Sequence, residues 1–238
     1  MIKRIKSWEF AEMFNVDPQV LRKKLTSIGL DHYIDGILAK AAEPVQMHWF
    51  DFAVASLMIK DVKNVLEIGT RRAESTVVFA KLFPEATIYT IDTRNPASDF
   101  PVFGRDLGDS LGNLGDREKN LDYENIVAVR ANSFFLPLMD LPEQFELIFV
   151  DGAHMFPQVA GDIMFAYGRI SPGGFLFMHD YSTPHSNHVA GVAITIDTIA
   201  PYLEETIFTF PHWSFLSKHP NRFSACLIKG GIGQYLRG

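Results

Sequence analysis

The sequence predicts an α/β protein with a doubly wound, mostly parallel sheet. Three observations carry this. From Lys63 onward, short apolar runs alternate with longer amphipathic stretches, the βαβα rhythm of such a fold. The short runs are apolar on both faces, as in strands covered by helices on each side. The tail then adds two further strand-like runs with no helix between them, predicting an antiparallel pair at the C-terminal edge of the sheet.

The first 55 or so residues read as helical. SWEFAEMF has Ser7 as an N-cap and places Phe10, Ala11 and Phe14 at helical spacing. Asp17-Pro18 restarts a helix with Pro18 at its first position. Val20, Leu21 and Leu25 supply its apolar stripe, and Gly29 ends it. Pro44 opens another helix through HWFDFAVASLMI. NVLEIG, ATIYTID, NIVAVRA, FELIFVD and GGFLFMHD then read as strands. Helical stretches fall at 74–83, 133–138 (short), 156–170 and 189–202, and TIFTF and FSACLIK form the tail pair.

Residues 94–122 interrupt this rhythm with a segment rich in Gly, Asp and Asn. A structureless loop of that length is unusual in a compact domain. It reads either as a surface excursion or as a lid, since it follows a strand end on the side where such sheets bind ligands. The chain thus divides at 1–58, a helical cap or dimerisation segment, and 59–238, the main domain with 94–122 as its insertion.

Composition sets limits. The chain has 238 residues, 47% hydrophobic and 21% charged, enough apolar content for a large core. A net charge of −6 argues against nucleic-acid binding driven by charge alone. A single cysteine, Cys226, excludes an internal disulfide and a Cys-rich zinc site, and it reads as a small buried apolar residue. No apolar stretch approaches the ~20 residues of a membrane span, and no apolar signal core follows the basic start. The expected location is cytoplasmic.

The stretch LEIGTRRAEST, residues 66–76, runs from a strand into a helix. Gly69 lets the backbone turn and a ligand approach closely. About 20 residues on, the next strand ends in Asp92, where a carboxylate can hold a ribose diol. Neither G-x-G-x-x-G nor G-x-x-x-x-G-K-[ST] is present, so a phosphate cradle is not expected. A nucleoside with a small charged tail fits better, its ribose on Asp92 and its tail near Glu67 and Gly69.

LEIGTRRAEST, IYTIDT, FELIFVDGAH and ISPGGFLFMHDY, in this order, resemble the class I S-adenosylmethionine-dependent methyltransferases and their Rossmann-like fold. The resemblance is to the branch with E-I-G-T…S-T, V-D-G-x-H and P-G-G…H-D-Y, and it spans roughly 60–230. It implies S-adenosylmethionine as cofactor. Glu67 and Gly69 would line its methionine end, with Thr70, Ser75 and Thr76 near the first helix. Asp92 would hold the ribose, with Asn132 and Ser133 beside the adenine and Asp151 at the rim. Two departures stand out. Relatives often have Gly where Ala73 stands, and Gly-Asp-Ser where Ala131-Asn132-Ser133 stands. At a positive φ, Ala73 would cost about 1 kcal/mol.

The resemblance also points to chemistry. Methyl transfer to a hydroxyl needs alignment and loss of the hydroxyl proton. Asp151 and His154 follow the fourth strand, and His179 and Asp180 end the fifth. Either histidine is a candidate base. Alternatively Asp151 and Asp180 hold a divalent cation, Mg²⁺ if all ligands are oxygens and a transition metal if histidine joins. Adjacent strand residues point to opposite faces, so His179 and Asp180 can share a site only if the strand ends between them. His185 and His188 read as solvated loop residues. Phe210, Trp213 and Phe215 form an aromatic cluster suited to a core or dimer contact.

The expected function is methylation of a small-molecule acceptor, at oxygen, by a homodimer acting on neither nucleic acid nor membrane. Two rivals remain. One is a non-catalytic nucleoside-binding protein. The other is a nucleic-acid-binding regulator, because EFAEMFNVDPQVLRKKL loosely matches a helix-turn-helix and carries Arg22, Lys23 and Lys24.

Overall fold

The computed structural model describes residues 1–29, 48–93, 120–182, 190–212 and 222–235. Eight strands form one sheet among these residues: β1 (Ile2–Arg4), β2 (Asn64–Ile68), β3 (Thr87–Asp92), β4 (Ile126–Arg130), β5 (Phe145–Val150), β6 (Ile170–Ser182), β7 (Ile207–His212) and β8 (Arg222–Ile228). Their order is β1-β7-β8-β6-β5-β2-β3-β4. Pairs within β6-β5-β2-β3-β4 are parallel, and β8 runs antiparallel to both β6 and β7. The helices are α1 (Ser7–Met13), α2 (Pro18–Ser27), α3 (His48–Met58), α4 (Glu74–Leu82), α5 (Gln158–Arg169) and α6 (Ala190–Ile199), with a 3-10 turn over Ser133–Leu138.

The antiparallel tail pair is present, but it is not the outermost part of the sheet. β1 pairs in parallel with β7 and forms the edge. Three residues, Ile-Lys-Arg, carry no alternation from which a strand can be read. They are recruited by open backbone groups on β7: Ile5 N–H donates to the Thr209 carbonyl at 3.0 Å, and Ile207 N–H to the Met1 carbonyl at 2.8 Å. The expected N-cap also moves. Ser7 is the first residue of α1, and the Lys6 backbone N–H is satisfied by the Glu9 carboxylate at 2.7 Å. At α2 the expectation holds, with Pro18 first in the helix and Asp17 accepting from Gln19 N–H at 2.7 Å.

Alternation along the central strands divides the interior in two. Leu147, Phe149, Phe175 and Phe177 face a core shared with Phe10, Phe14, Leu21, Leu25, Phe52 and Phe79. Their neighbours Ile148, Val150, Leu176 and Met178 face a second core shared with Val159, Ile163, Val192 and Ile196. The period of two thus gives the central strands β5 and β6 two apolar faces. The N-terminal helices belong to the first core: Phe10 packs on Phe210 with ring centroids 5.0 Å apart. Phe210 and Cys226 are buried there. No described helix is long and apolar enough to cross a membrane. Residues 94–119, the bulk of the expected lid, lie outside the described residues, as do Pro44, His185, His188, Trp213 and Phe215.

Candidate active site

Five parallel strands deliver their carboxyl ends to one edge of the sheet. β2 is the point of reversal, with β3 and β4 on one side and β5 and β6 on the other, and ligands bind at such a crevice. Gly69 leaves β2 with φ +106°. Its N–H donates to the Ile91 carbonyl, and Asp151 N–H donates to the Ile68 carbonyl, both at 2.8 Å. A Cβ on Gly69 would lie 2.3 Å from the Asp151 carbonyl oxygen. The glycine is therefore required by the turn, as expected, and also by the neighbouring strand end.

The loop that follows is held in unusual backbone. Arg71 has φ +44° and Ala73 φ +58°, the left-handed region that L-residues avoid. Ala73 is fully buried and its N–H donates to the Thr70 carbonyl at 2.6 Å. One oxygen of Asp92 accepts from Arg71 N–H at 2.7 Å, so the expected ribose carboxylate also anchors the loop above it. Asn120, where the described chain resumes after the long excursion, donates from its side-chain amide to the Arg72 carbonyl at 2.9 Å.

Glu67 lies under this loop rather than on it, with no exposed surface. Its carboxyl accepts from Ser75 and Thr76 hydroxyls, and from Thr90 at 2.6 Å. Thr90 in turn shares a 2.6 Å hydrogen bond with Thr70. Burial raises the Glu67 pKa to about 7, against the three hydroxyls that lower it. Glu67 and Thr76 therefore brace the strand–helix turn from beneath, with Thr76 in the first turn of α4. The loop's exposed surface comes from other residues, such as Arg71.

Beyond β4, the Asn132 carboxamide oxygen accepts from Phe134 N–H at 2.9 Å and from Gln158 Nε2 at 3.1 Å. Gln158 also donates to Ser133 Oγ at 3.2 Å. One turn along α5, Asp162 is buried, and Oδ2 has no hydrogen-bond partner among the described residues. Burial raises its pKa to about 6, partly countered by a hydrogen bond from Ser133. The sequence reading missed both α5 residues. Their four-residue spacing places them on one helix face, but nothing marked that face as the one turned to Ser133.

Asp151, His154, His179 and Asp180 converge, each offering one donor atom, with all four atoms within 4.8 Å of one another. His179 Nδ1 lies 3.0 Å from Asp151 Oδ1 and 3.4 Å from Asp180 Oδ1. His154 Nε2 lies 3.4 Å from Asp151 Oδ1 and 3.4 Å from Asp180 Oδ2. The alternation rule forbids His179 and Asp180 from facing one place. The structure breaks the rule with Asp180 at φ +56° and a register shift against β8 between Met178 and Tyr181. The strand does not end there, since Tyr181 and Ser182 still pair with β8.

Charge is distributed unevenly in this group. Burial would raise the Asp151 pKa, but the His179 imidazole, aided by His154, holds it far below the carboxylate range. Burial likewise opposes ionisation of Asp180, and His179 again outweighs it. Burial disfavours charge on His179, yet Asp151 and Asp180 together hold its pKa well above the ordinary imidazole value. The His179 ring also meets the edge of His48, the first residue of α3, at a centroid distance of 5.3 Å. His48 lies far away in sequence, and no local pattern marks it.

The cluster can accept a proton at an imidazole or gather around a dication. Two nitrogens and two carboxylates make a poor set for Mg²⁺, which demands oxygen ligands in octahedral array. They suit a first-row transition ion.

Residues 66–181 match a family model described as a methyltransferase domain. Comparison with curated proteins gave no match. Solved structures share the fold. The O-methyltransferase TomG of Streptomyces achromogenes, involved in tomaymycin synthesis and in complex with S-adenosylmethionine, is 17% identical, with 87% of this chain and 90% of that one covered at a TM-score of 0.56. The N-methyltransferase NodS of Bradyrhizobium japonicum WM9 is 19% identical, covering 77% and 95% at 0.52. An rRNA methylase of Streptococcus thermophilus is 15% identical, covering 79% and 97% at 0.51. One fold thus serves oxygen, nitrogen and RNA acceptors, and the acceptor must be argued from the site.

Proposed function

We propose that this chain, a member of the class I S-adenosylmethionine-dependent methyltransferases by its 66–181 domain match and its fold, transfers a methyl group from S-adenosylmethionine to a hydroxyl oxygen of a small molecule. One observation carries the reading: the Asp151–His154–His179–Asp180 cluster abuts the Gly69 turn, where the Asp151 peptide fills the space a Gly69 side chain would take. The cofactor's sulfonium end and the proton-accepting groups then meet at one strand edge.

In this reading Asp92 takes the ribose hydroxyls, and the backbone of 69–72 receives the methionine end. Asn132, Ser133 and Gln158 border the adenine. Glu67, Thr70, Ser75, Thr76 and Thr90 support the turn. Methyl transfer itself asks only for alignment in line with the sulfonium. What an oxygen acceptor adds is a proton to lose, and a pair of imidazoles flanked by carboxylates is suited to that task. The proton leaves to His154, oriented by Asp151 and Asp180; a dication held by the same four residues would instead lower the pKa of the acceptor hydroxyl, so that its proton could pass to solvent.

Calorimetry with S-adenosylmethionine, followed by transfer of labelled methyl to a panel of small phenols, alcohols and amines, tests this. Cofactor binding with transfer to hydroxyl compounds is the expected result. Transfer to amines alone, or no cofactor binding, would overturn the reading.

A further inference from the structure

The donor atoms of the cluster are spaced as ligands of one ion. A dication bound at 2.0–2.2 Å by nitrogen and carboxylate oxygen sets its tetrahedral ligands about 3.3–3.5 Å apart. The four imidazole-to-carboxylate separations here are 3.0, 3.4, 3.4 and 3.4 Å. Three of the four fall in this range and the fourth is shorter, and one donor atom from each residue lies within 4.8 Å of the other three. Two come from the turn after β5 and two from β6. The β6 pair reaches the cluster because Asp180 adopts a left-handed backbone inside a paired strand. Backbone of this kind gathers at functional sites. The side chains are 9–28% exposed, leaving a route for an ion and for one exchangeable position.

We propose that Asp151, His154, His179 and Asp180 together form a binding site for a first-row transition dication of the Zn²⁺ type, and that this chain does not select Mg²⁺. The inference deepens the function proposed above and rests on it for its purpose, which is to hold and acidify the acceptor hydroxyl. His179 is the residue that redirects the choice of ion. A carboxylate in its place would leave His154 as the one nitrogen donor, whereas an imidazole adds a second nitrogen ligand of a kind that Mg²⁺ rarely accepts. His154 strengthens the same preference from the neighbouring strand end.

The test uses the full chain stripped with a chelator, titrated with Zn²⁺ and separately with Mg²⁺ in a calorimeter, with no cofactor or acceptor present. Zn²⁺ is expected to bind one per chain, roughly tenfold or more tighter than Mg²⁺. Co²⁺ in the same site should give the intense visible absorption of a four- or five-coordinate ion. His179→Ala and His154→Gln should each weaken Zn²⁺ roughly tenfold or more and bleach the Co²⁺ band. His154→Gln lies outside the sheet and guards against a folding failure in the other variant. Equal or tighter Mg²⁺ binding would overturn the proposal, as would unchanged Zn²⁺ affinity in both variants. S-adenosylmethionine affinity on the same samples separates the two readings: a protein that binds the cofactor but no ion sinks this inference alone.

Discussion

Gly69 and Asp151 meet backbone to backbone, on two neighbouring strands, so closely that a Cβ on Gly69 would stand 2.3 Å from the Asp151 carbonyl oxygen. The contact joins the turn after β2 to the peptide that starts the Asp151–His154–His179–Asp180 cluster. Gly69→Ala should therefore both strain the φ +106° backbone and push β2 and β5 apart. A loss of about 2 kcal/mol or more is expected in denaturant unfolding. A stability within error of the parent would mean that the two strand ends are free to separate.

Ala73 presents the opposite case. At φ +58° an alanine costs about 1–2 kcal/mol relative to relaxed backbone. Ala73→Gly removes that strain, while the added freedom of the unfolded chain takes back about 0.4–1 kcal/mol. A net gain of roughly 0.5 kcal/mol follows, read as a small rise in the unfolding midpoint. A clear fall in stability would show that the Ala73 methyl group packs to an advantage greater than its strain.

Glu67 makes stability depend on pH. Its ordinary pKa of 4.5 is raised to about 7 in the fold, so the native state holds a proton that the unfolded state releases. Stability from this group is complete below pH 4.5, declines as pH rises toward 7 and is level above. The size is of order 3 kcal/mol. Glu67→Gln keeps an acceptor for the surrounding hydroxyls and removes the titration. Unfolding free energies from pH 5 to 8 should show the parent falling relative to the variant; parallel profiles would exclude a raised pKa.

Asp92 has two tasks in this reading, an anchor for Arg71 N–H at 2.7 Å and a seat for the ribose. Asp92→Ala should weaken S-adenosylmethionine by about tenfold or more. Asp92→Asn, which retains an acceptor for the loop, should lose less. Unchanged affinity in the alanine variant would remove the ribose assignment.

Asp151→Asn should lower turnover by roughly 10²–10³-fold while the cofactor still binds, because the turn backbone is unaltered. Single-turnover methyl transfer checks this. Wild-type turnover would place the acceptor's proton elsewhere.

Much of the site is legible in sequence because each strand ends in a short polar signature at the point where apolar side chains stop. Gly69, Asp92 and Asp151 fall at such ends, Asp180 lies where the apolar run of β6 stops, and the parallel topology brings these points to one edge. What the pattern does not mark has a common cause. Glu67 and Thr76 belong to the same motif as Thr70 and Ser75, but the hydroxyls that hold Glu67 are set only by the fold. Strand β1 and the partners Gln158, Asp162 and His48 are defined by contacts with elements remote in the chain.

From periodicity and the punctuation of strand ends alone, the sequence determined the α/β class, the central strands with both faces covered, and the edge on which chemistry is possible. Tertiary structure alone decided whether four donors share a point. Alternation sends His179 and Asp180 to opposite faces; a left-handed residue at φ +56° and a register shift against β8 turn them to the same side. Local pattern encodes which residues reach a strand end. Their convergence depends on backbone exceptions, and those are settled by the packing of one strand against its neighbours.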